Sequence, residues 1–294
     1  MKIFVWILLF LLVINVIAAL ITVFRKPRSI SSVLAWMMTL IFLPGIGFII
    51  YLFCGRGIDG QEVFKLSDDE KQMVQRIKEK VDIDNKKAGR DKRYDLLYDA
   101  KVLNRYFRNM DASPLAKRNS LQLFTDGQEK FQALFEDIRA AKETVHVEYY
   151  AFFNDTIGNQ FLDVLIEKLH EGVEVYLIYD PWGSPGANKK FFARYVDAGG
   201  KVAPFITSRD MIRKTRLNYH LHRKIVVIDG KIGWTGGFNV GDQYLNVTEK
   251  FGYWRDTHIR LVGTAVFSLQ EIFIMDWNAS VKYPEERMTY HEKY

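Results

Sequence analysis

The sequence predicts an α/β domain with a mixed sheet flanked by helices, preceded by two N-terminal transmembrane helices, and three observations lead there. From Leu121 onward short apolar runs alternate with amphipathic stretches, the pattern of strands and helices packed in layers. Two long uncharged segments lie within the first 58 residues, and a highly charged connector separates them from the alternating region. The chain therefore divides into a membrane anchor over 1–58, a charged helical connector over 59–119 and an α/β domain over 120–294.

Ile3 to Phe24 is 22 residues without a charge. As a helix rising about 1.5 Å per residue it reaches roughly 33 Å, enough to cross a bilayer core of about 30 Å. The alternative is a cleaved signal peptide. The run exceeds the apolar core of about 7–15 residues usual in such peptides, and a second apolar segment follows. After the basic loop Arg25-Lys26-Pro27-Arg28, Ile30 to Phe53 is again uncharged, with Trp36 and Tyr51 as candidate interfacial anchors. Pro44-Gly45 interrupts it, which leaves open a kinked spanning helix or a re-entrant hairpin. The expectation is a multi-pass protein of the cell membrane. Three cations in the loop favour a cytoplasmic loop, while Lys2, the N-terminal amine and Arg56 oppose this, so the side facing the domain stays open.

The net charge of +6 belongs to this anchor. Residues 1–58 hold five cations and no acid, leaving 36 cations against 35 acids beyond them. A globally basic, nucleic-acid-binding body is excluded, although a local basic patch is not. The single Cys54 excludes an intramolecular disulfide framework and a Cys-rich zinc module.

The connector, with Asp68-Asp69-Glu70-Lys71 and the basic run Lys86 to Arg93, reads as helices and a linker with solvated faces. Strands are expected at 121–125, 144–152, 173–179, 201–206, 224–228, 231–235 and 257–262, and helices at 128–141, 157–170, 188–198 and 264–278. Gly172 and Gly199-Gly200 stand where helix C-caps are wanted.

The segment Asn218 to Asn239 carries the chemistry. His222 and Lys224 are two apart, so an extended chain projects both from one face. Ile225 to Ile228 follows as a buried strand, and Asp229-Gly230 is a hairpin-turn dipeptide. The returning strand delivers Gly236, Gly237 and Asn239 beside the His-Lys end. Glycines there let backbone N–H groups approach an anion, and Asn239 adds a donor. An imidazole, a cation and a donor pocket make a phosphoryl-transfer site that requires no metal or other cofactor. Taken singly, the histidine reads as structural, the lysine as surface and the aspartate as a turn former. Five specified positions at fixed spacing arise by chance on the order of once in ten thousand such chains, at roughly one in twenty per position.

This pattern, H-x-K-x4-D-x6-G-[SG]-x-N, resembles that of the phospholipase D superfamily. Tyr149-Tyr150-Ala-Phe152, the run from Glu171 to Asp180, Gly236 to Asp242, and Phe251-Gly-Tyr-Trp-Arg-Asp256-Thr-His resemble bacterial cardiolipin synthases in particular. So do the two apolar segments, with Leu43-Pro-Gly-Ile-Gly and Tyr51-Leu-Phe-Cys-Gly-Arg56. The resemblance implies a phospholipase D-like fold and a phosphatidyltransferase in which His222 Nε2 attacks a lipid phosphorus. Lys224 and Asn239 would hold the phosphate oxygens, Gly236 and Gly237 brace that pocket, Asp229 act mainly as scaffold, and Asp256 fix the imidazole tautomer. The phosphatidyl group would pass to a second phosphatidylglycerol, giving cardiolipin and glycerol. Arg209, Arg213, Lys214 and Arg216 either draw in anionic lipid headgroups or form an exposed basic loop.

Members of the family carry two such motifs, and this chain carries one. His291-Glu292-Lys293 has the His-Lys spacing, but Tyr294 follows without an Asp. Three readings stand: a synthase half that needs a second catalytic half; a single-motif phosphodiesterase or nuclease that pairs two His222 residues in a homodimer; or an inactive membrane fragment. The near-neutral body and the synthase-like flanks argue against nucleic acid as partner.

Overall fold

The computed structural model describes residues 2–25, 29–55, 68–88, 102, 103, 106, 115–205, 220–246 and 252–288. The basic loop residues 26–28, the cations at 209, 213, 214 and 216, and the His291 segment lie outside the described residues. The chain forms two compact units, one containing the hydrophobic N-terminus and the other the α/β domain.

In the first unit, α1 (Lys2–Phe24) is one uninterrupted apolar helix. Among the described residues it alone is long and apolar enough to cross a membrane. The second apolar stretch, open by sequence to a kinked span or a re-entrant hairpin, is broken into shorter helices. Helix α2 (Ile30–Phe42) stops before Pro44, and Gly45 takes φ +80°. The chain then runs back as α3 (Ile46–Ile50) and a π-helical turn, Tyr51–Gly55. The rings of Trp36 and Tyr51 meet edge-on at 5.1 Å, although a continuous helix would hold them roughly 22 Å apart. A Cβ on Gly47 would lie 2.6 Å from the Thr39 carbonyl oxygen, so the two arms touch through backbone. At 13 residues, α2 reaches about 20 Å, short of the bilayer core.

Proline chemistry explains the reversal. Pro44 has no N–H to offer the Leu40 carbonyl, and a bare carbonyl in hydrocarbon costs several kcal/mol. Asn15 of α1 supplies the missing donor, its Nδ2 lying 3.0 Å from that oxygen. The Tyr51 hydroxyl donates to the Thr22 carbonyl at 3.1 Å. With Ala19, Val23 and Leu40 buried between them, the hairpin is fastened to α1.

In the second unit, α4 (Asp68–Ala88) is the helical part of the connector that is described. Seven strands follow: β1 (Ser120–Phe124), β2 (Thr144–Tyr149), β3 (Glu174–Tyr179), β4 (Lys201–Pro204), β5 (Lys224–Ile228), β6 (Ile232–Gly236) and β7 (His258–Val262). They form one sheet in the order β1-β7-β6-β5-β2-β3-β4. β2, β3 and β4 run parallel, and every other pair is antiparallel. Helix α5 (Gly127–Ala140) and helix α6 (Thr156–His170) start on the N-caps Asp126 and Asp155, whose carboxylates accept backbone N–H groups of the first turn. Their apolar faces, with Phe131, Leu134, Phe161 and Leu165, cover one side of the sheet. Helix α8 (Val266–Ser280) covers the other, packing Val266 against Ile225, Val227 and Leu261. All of β2 and β5 is buried, as central strands covered on both faces must be.

The expected helix over 188–198 contracts to α7 (Ala193–Asp197), because the Asn188 side chain accepts from Lys190 and Phe191 N–H and holds a turn there. The expected strand over 201–206 ends at Pro204 on the sheet edge. Beyond β2, Phe152 adds one isolated bridge, to Val240. Asp229 and Gly230 take φ +50° and +61°, the double left-handed turn that a two-residue hairpin needs.

Candidate active site

The site lies where β5 begins, β6 ends and β7 begins. Sheet register sets Tyr149 beside Lys224, and Gly236 beside His258. Lys224 is buried, its Nζ 3.4 Å from the His222 carbonyl oxygen and 5.3 Å from the centre of the Tyr150 ring. His222 is exposed, and its ring rests on Tyr150 at 4.8 Å. Both glycines are sterically required. A Cβ on Gly236 would fall 2.5 Å from His258 Cα, and one on Gly237 would fall 1.9 Å from Asp256 Oδ1. The strand end thus presents bare backbone at Gly236, which lines the same cleft as His222, and at Gly237 beside the Asp256 carboxylate.

Asn239 is buried and fixed at both ends of its amide. Its Oδ1 accepts the Ala151 N–H at 3.1 Å, and its Nδ2 donates to the Tyr244 hydroxyl at 2.7 Å. Asp229 is not brought to His222 and Lys224. It sits at the other end of β5, about 16 Å from Lys224 by strand rise. There its carboxylate accepts the N–H groups of Lys142, Glu143 and Thr144 at 2.8 to 2.9 Å. Asp256 accepts its own neighbour's N–H, that of Thr257, at 2.6 Å, and its charge acts on Lys224.

The carboxylate whose field reaches His222 is Asp180, which the sequence reading assigned no role. Asp180 is buried just past β3 and accepts the N–H of Trp182 at 2.8 Å and of Gly183 at 3.3 Å. Its Oδ2 accepts the Leu221 N–H at 2.8 Å and stands 3.5 Å from His220 Nδ1. It therefore ties down the extended segment that presents His222. The signal available was only a turn-forming Asp-Pro after a strand.

Charges set the protonation of the site. The Lys224 ammonium, then burial, lower the His222 pKa, while Asp180 pulls it back up. A histidine held below its ordinary value of about 6.5 is neutral at pH 7 and keeps a lone pair for attack. Burial lowers Lys224 and Asp256 opposes this. Deeper in the same region, burial holds Lys130 well below the usual lysine range, and its Nζ donates to the Tyr149 hydroxyl at 2.9 Å. Removing the Lys224 cation relieves the penalty on imidazolium, so Lys224→Met should raise the His222 pKa. Asp180→Asn should lower it. An NMR titration of the His222 ring in both variants reads these shifts directly, and unmoved curves would remove Lys224 and Asp180 from this account.

Residues 134–264 match the family model described as cardiolipin synthase, PLD-like domain, and residues 13–56 the model described as phospholipase D-nuclease N-terminal. Residues 134–264 of the α/β unit thus resemble a phospholipase D-like domain. The chain is 42% identical over 286 residues to the cardiolipin synthase of Listeria monocytogenes serotype 4b, an overlap of 94% of this chain and 57% of that protein. It is 40% identical over 283 residues to the cardiolipin synthase of Staphylococcus aureus, covering 96% and 57%. Among solved structures, NucT from Helicobacter pylori matches 56% of this chain and 100% of its own at 18% identity, with a TM-score of 0.44. The chain resembles bacterial cardiolipin synthases over their hydrophobic N-terminus and first catalytic half, and spans 57% of the length of these curated relatives.

Proposed function

We propose that the chain performs phosphatidyl transfer as the first catalytic half of a cardiolipin synthase, with phosphatidylglycerol as donor and acceptor. The observation that carries this reading is the exposed His222, its pKa lowered by Lys224, at the glycine-floored end of the sheet. His222 Nε2 forms a bond to the lipid phosphorus as the bond to the glycerol oxygen breaks. Glycerol leaves with a proton from a general acid. A hydroxyl of a second phosphatidylglycerol then attacks the phosphohistidine, its proton passes to the conjugate base, and cardiolipin departs with His222 restored. Lys224 and the second Nδ2 hydrogen of Asn239 neutralise charge on the phosphate oxygens. The proton donor is a histidine of a second motif.

The reading also makes α1 the single membrane crossing. Tyr51 is bonded to Thr22 near the end of α1, so the chain leaves the anchor on the side where α1 ends. The sequence carries cations at 25, 26, 28 and 56 with no acid between them, a bias that the positive-inside rule assigns to the cytoplasmic side.

Phosphatidylglycerol labelled at phosphorus tests the chemistry. The purified chain, alone and with a polypeptide carrying the second half of the Listeria relative, should acquire acid-labile label on His222 and, when supplemented, release glycerol and cardiolipin. Absence of labelled histidine in both samples would reject the proposal.

A further inference from the structure

The cavity beside His222 has two kinds of wall. It is an open cleft of about 400 Å³, within the range of small-molecule sites. Ile225, Ile259, Leu269 and Ile272 line one side, and His222 and Arg223 stand at its polar end. On α8, Leu269, Ile272 and Asp276 share a face by their three- and four-residue spacing, so the helical part of the apolar wall and the anchor of Arg223 come from one helix. Arg223 Nη1 is paired with the Asp276 carboxylate; the arginine side chain is 43% exposed and that of Asp276 1%.

The support beneath Arg223 is unusual. Glu148 of β2 is fully buried beside Asp276, and burial followed by the Asp276 charge raises its pKa well above the usual range. Burial also raises Asp276. Two carboxyls so placed share a proton, leaving one negative charge to hold one guanidinium. The pairing fixes the plane of a side chain whose five N–H donors form a rigid fork suited to phosphate oxygens.

Direction completes the picture. Along an extended chain neighbouring side chains point to opposite faces. Lys224 turns towards Tyr149 and Tyr150, and Arg223 towards α8. Two cations therefore flank His222, one on each face of the sheet. We infer that the cavity is a second lipid seat, holding the phosphodiester of an anionic phospholipid on Arg223 and the first methylenes of its chains on the α8 wall, while the phosphate under attack occupies the Lys224 side. This rests on the phosphatidyl-transfer reading, in which the acceptor lipid brings its own phosphodiester close to the phosphohistidine that its hydroxyl attacks.

Native mass spectrometry of the full chain in neutral detergent, titrated with dihexanoyl-phosphatidylglycerol, counts the seats without requiring turnover. Wild type and His222→Asn should bind two equivalents. Arg223→Ala and Ile272→Glu should each bind one, the second variant leaving the Arg223–Asp276 pair in place, so that a fold defect is not the cause. Inorganic phosphate should displace no lipid from the cavity seat of Lys224→Met. Two equivalents retained in both cavity variants, or one in wild type, would overturn the inference. Dimers that Ile272→Glu dissolves would assign the cavity to a second copy and overturn it equally. Two bound lipids without a labelled histidine would instead reject the transfer chemistry and leave the seat standing.

Discussion

His222→Asn should lower phosphatidyl transfer by at least about a thousandfold, some 4 kcal/mol of barrier, while leaving thermal unfolding unchanged. Asparagine preserves polarity and approximate reach but has no ring nitrogen to bond phosphorus. The fold should tolerate the change because His222 is exposed and its ring rests against Tyr150. The comparison is made on the chain supplied with a second motif, following cardiolipin formation in phosphatidylglycerol mixed micelles beside a circular-dichroism melt. Activity within tenfold of wild type would mean that another group attacks the phosphorus.

Asp229→Ala should produce the opposite profile: about 4 kcal/mol of lost stability with the chemistry intact. Its carboxylate accepts three backbone N–H groups from the segment entering β2. Charge-assisted bonds of this kind contribute roughly 1 kcal/mol or more each. Alanine is also penalised by about 1 kcal/mol at the positive φ of this turn. Asparagine tolerates that conformation and keeps one acceptor oxygen, so Asp229→Asn should lose about half as much. Urea melts supply the stabilities, and the rate per folded molecule is compared below the transition. A thousandfold fall in that rate with wild-type stability would make Asp229 part of the chemistry rather than of the frame.

The two mutations separate what the sequence could and could not reveal. His222, Lys224, Gly236 and Asn239 were legible because alternation along two strands joined by an Asp-Gly turn fixes which side chains meet, with no distant information needed. Asp180 was not. Its partner, the Leu221 N–H, lies 41 positions away, and an aspartate after a strand is ordinarily a turn former. The expected role of Asp256 towards the His222 ring drew on family resemblance. Its carboxylate lies against Gly237 and its charge acts on Lys224. Glu148 was hidden for a different reason: within an apolar strand a single acid gives no sign of whether burial will protonate it. The sheet order could not be read either, since alternation locates strands without saying which edges meet. The Pro44-Gly45 break was visible, but only the Asn15 donor on another helix decided in favour of the hairpin.

On the proposed reading, that hairpin bears on which lipid pool is within reach. Lipids exchange between leaflets slowly without assistance, so a tethered catalyst samples the monolayer on its own side. Two crossings return a chain to the leaflet of its amino terminus; one crossing and a dip leave it at the opposite leaflet. The parity of crossings therefore selects the substrate population. Under the proposed function, Pro44, by denying one carbonyl its donor and turning α2 back on itself, exchanges one leaflet's lipids for the other's as the pool on offer.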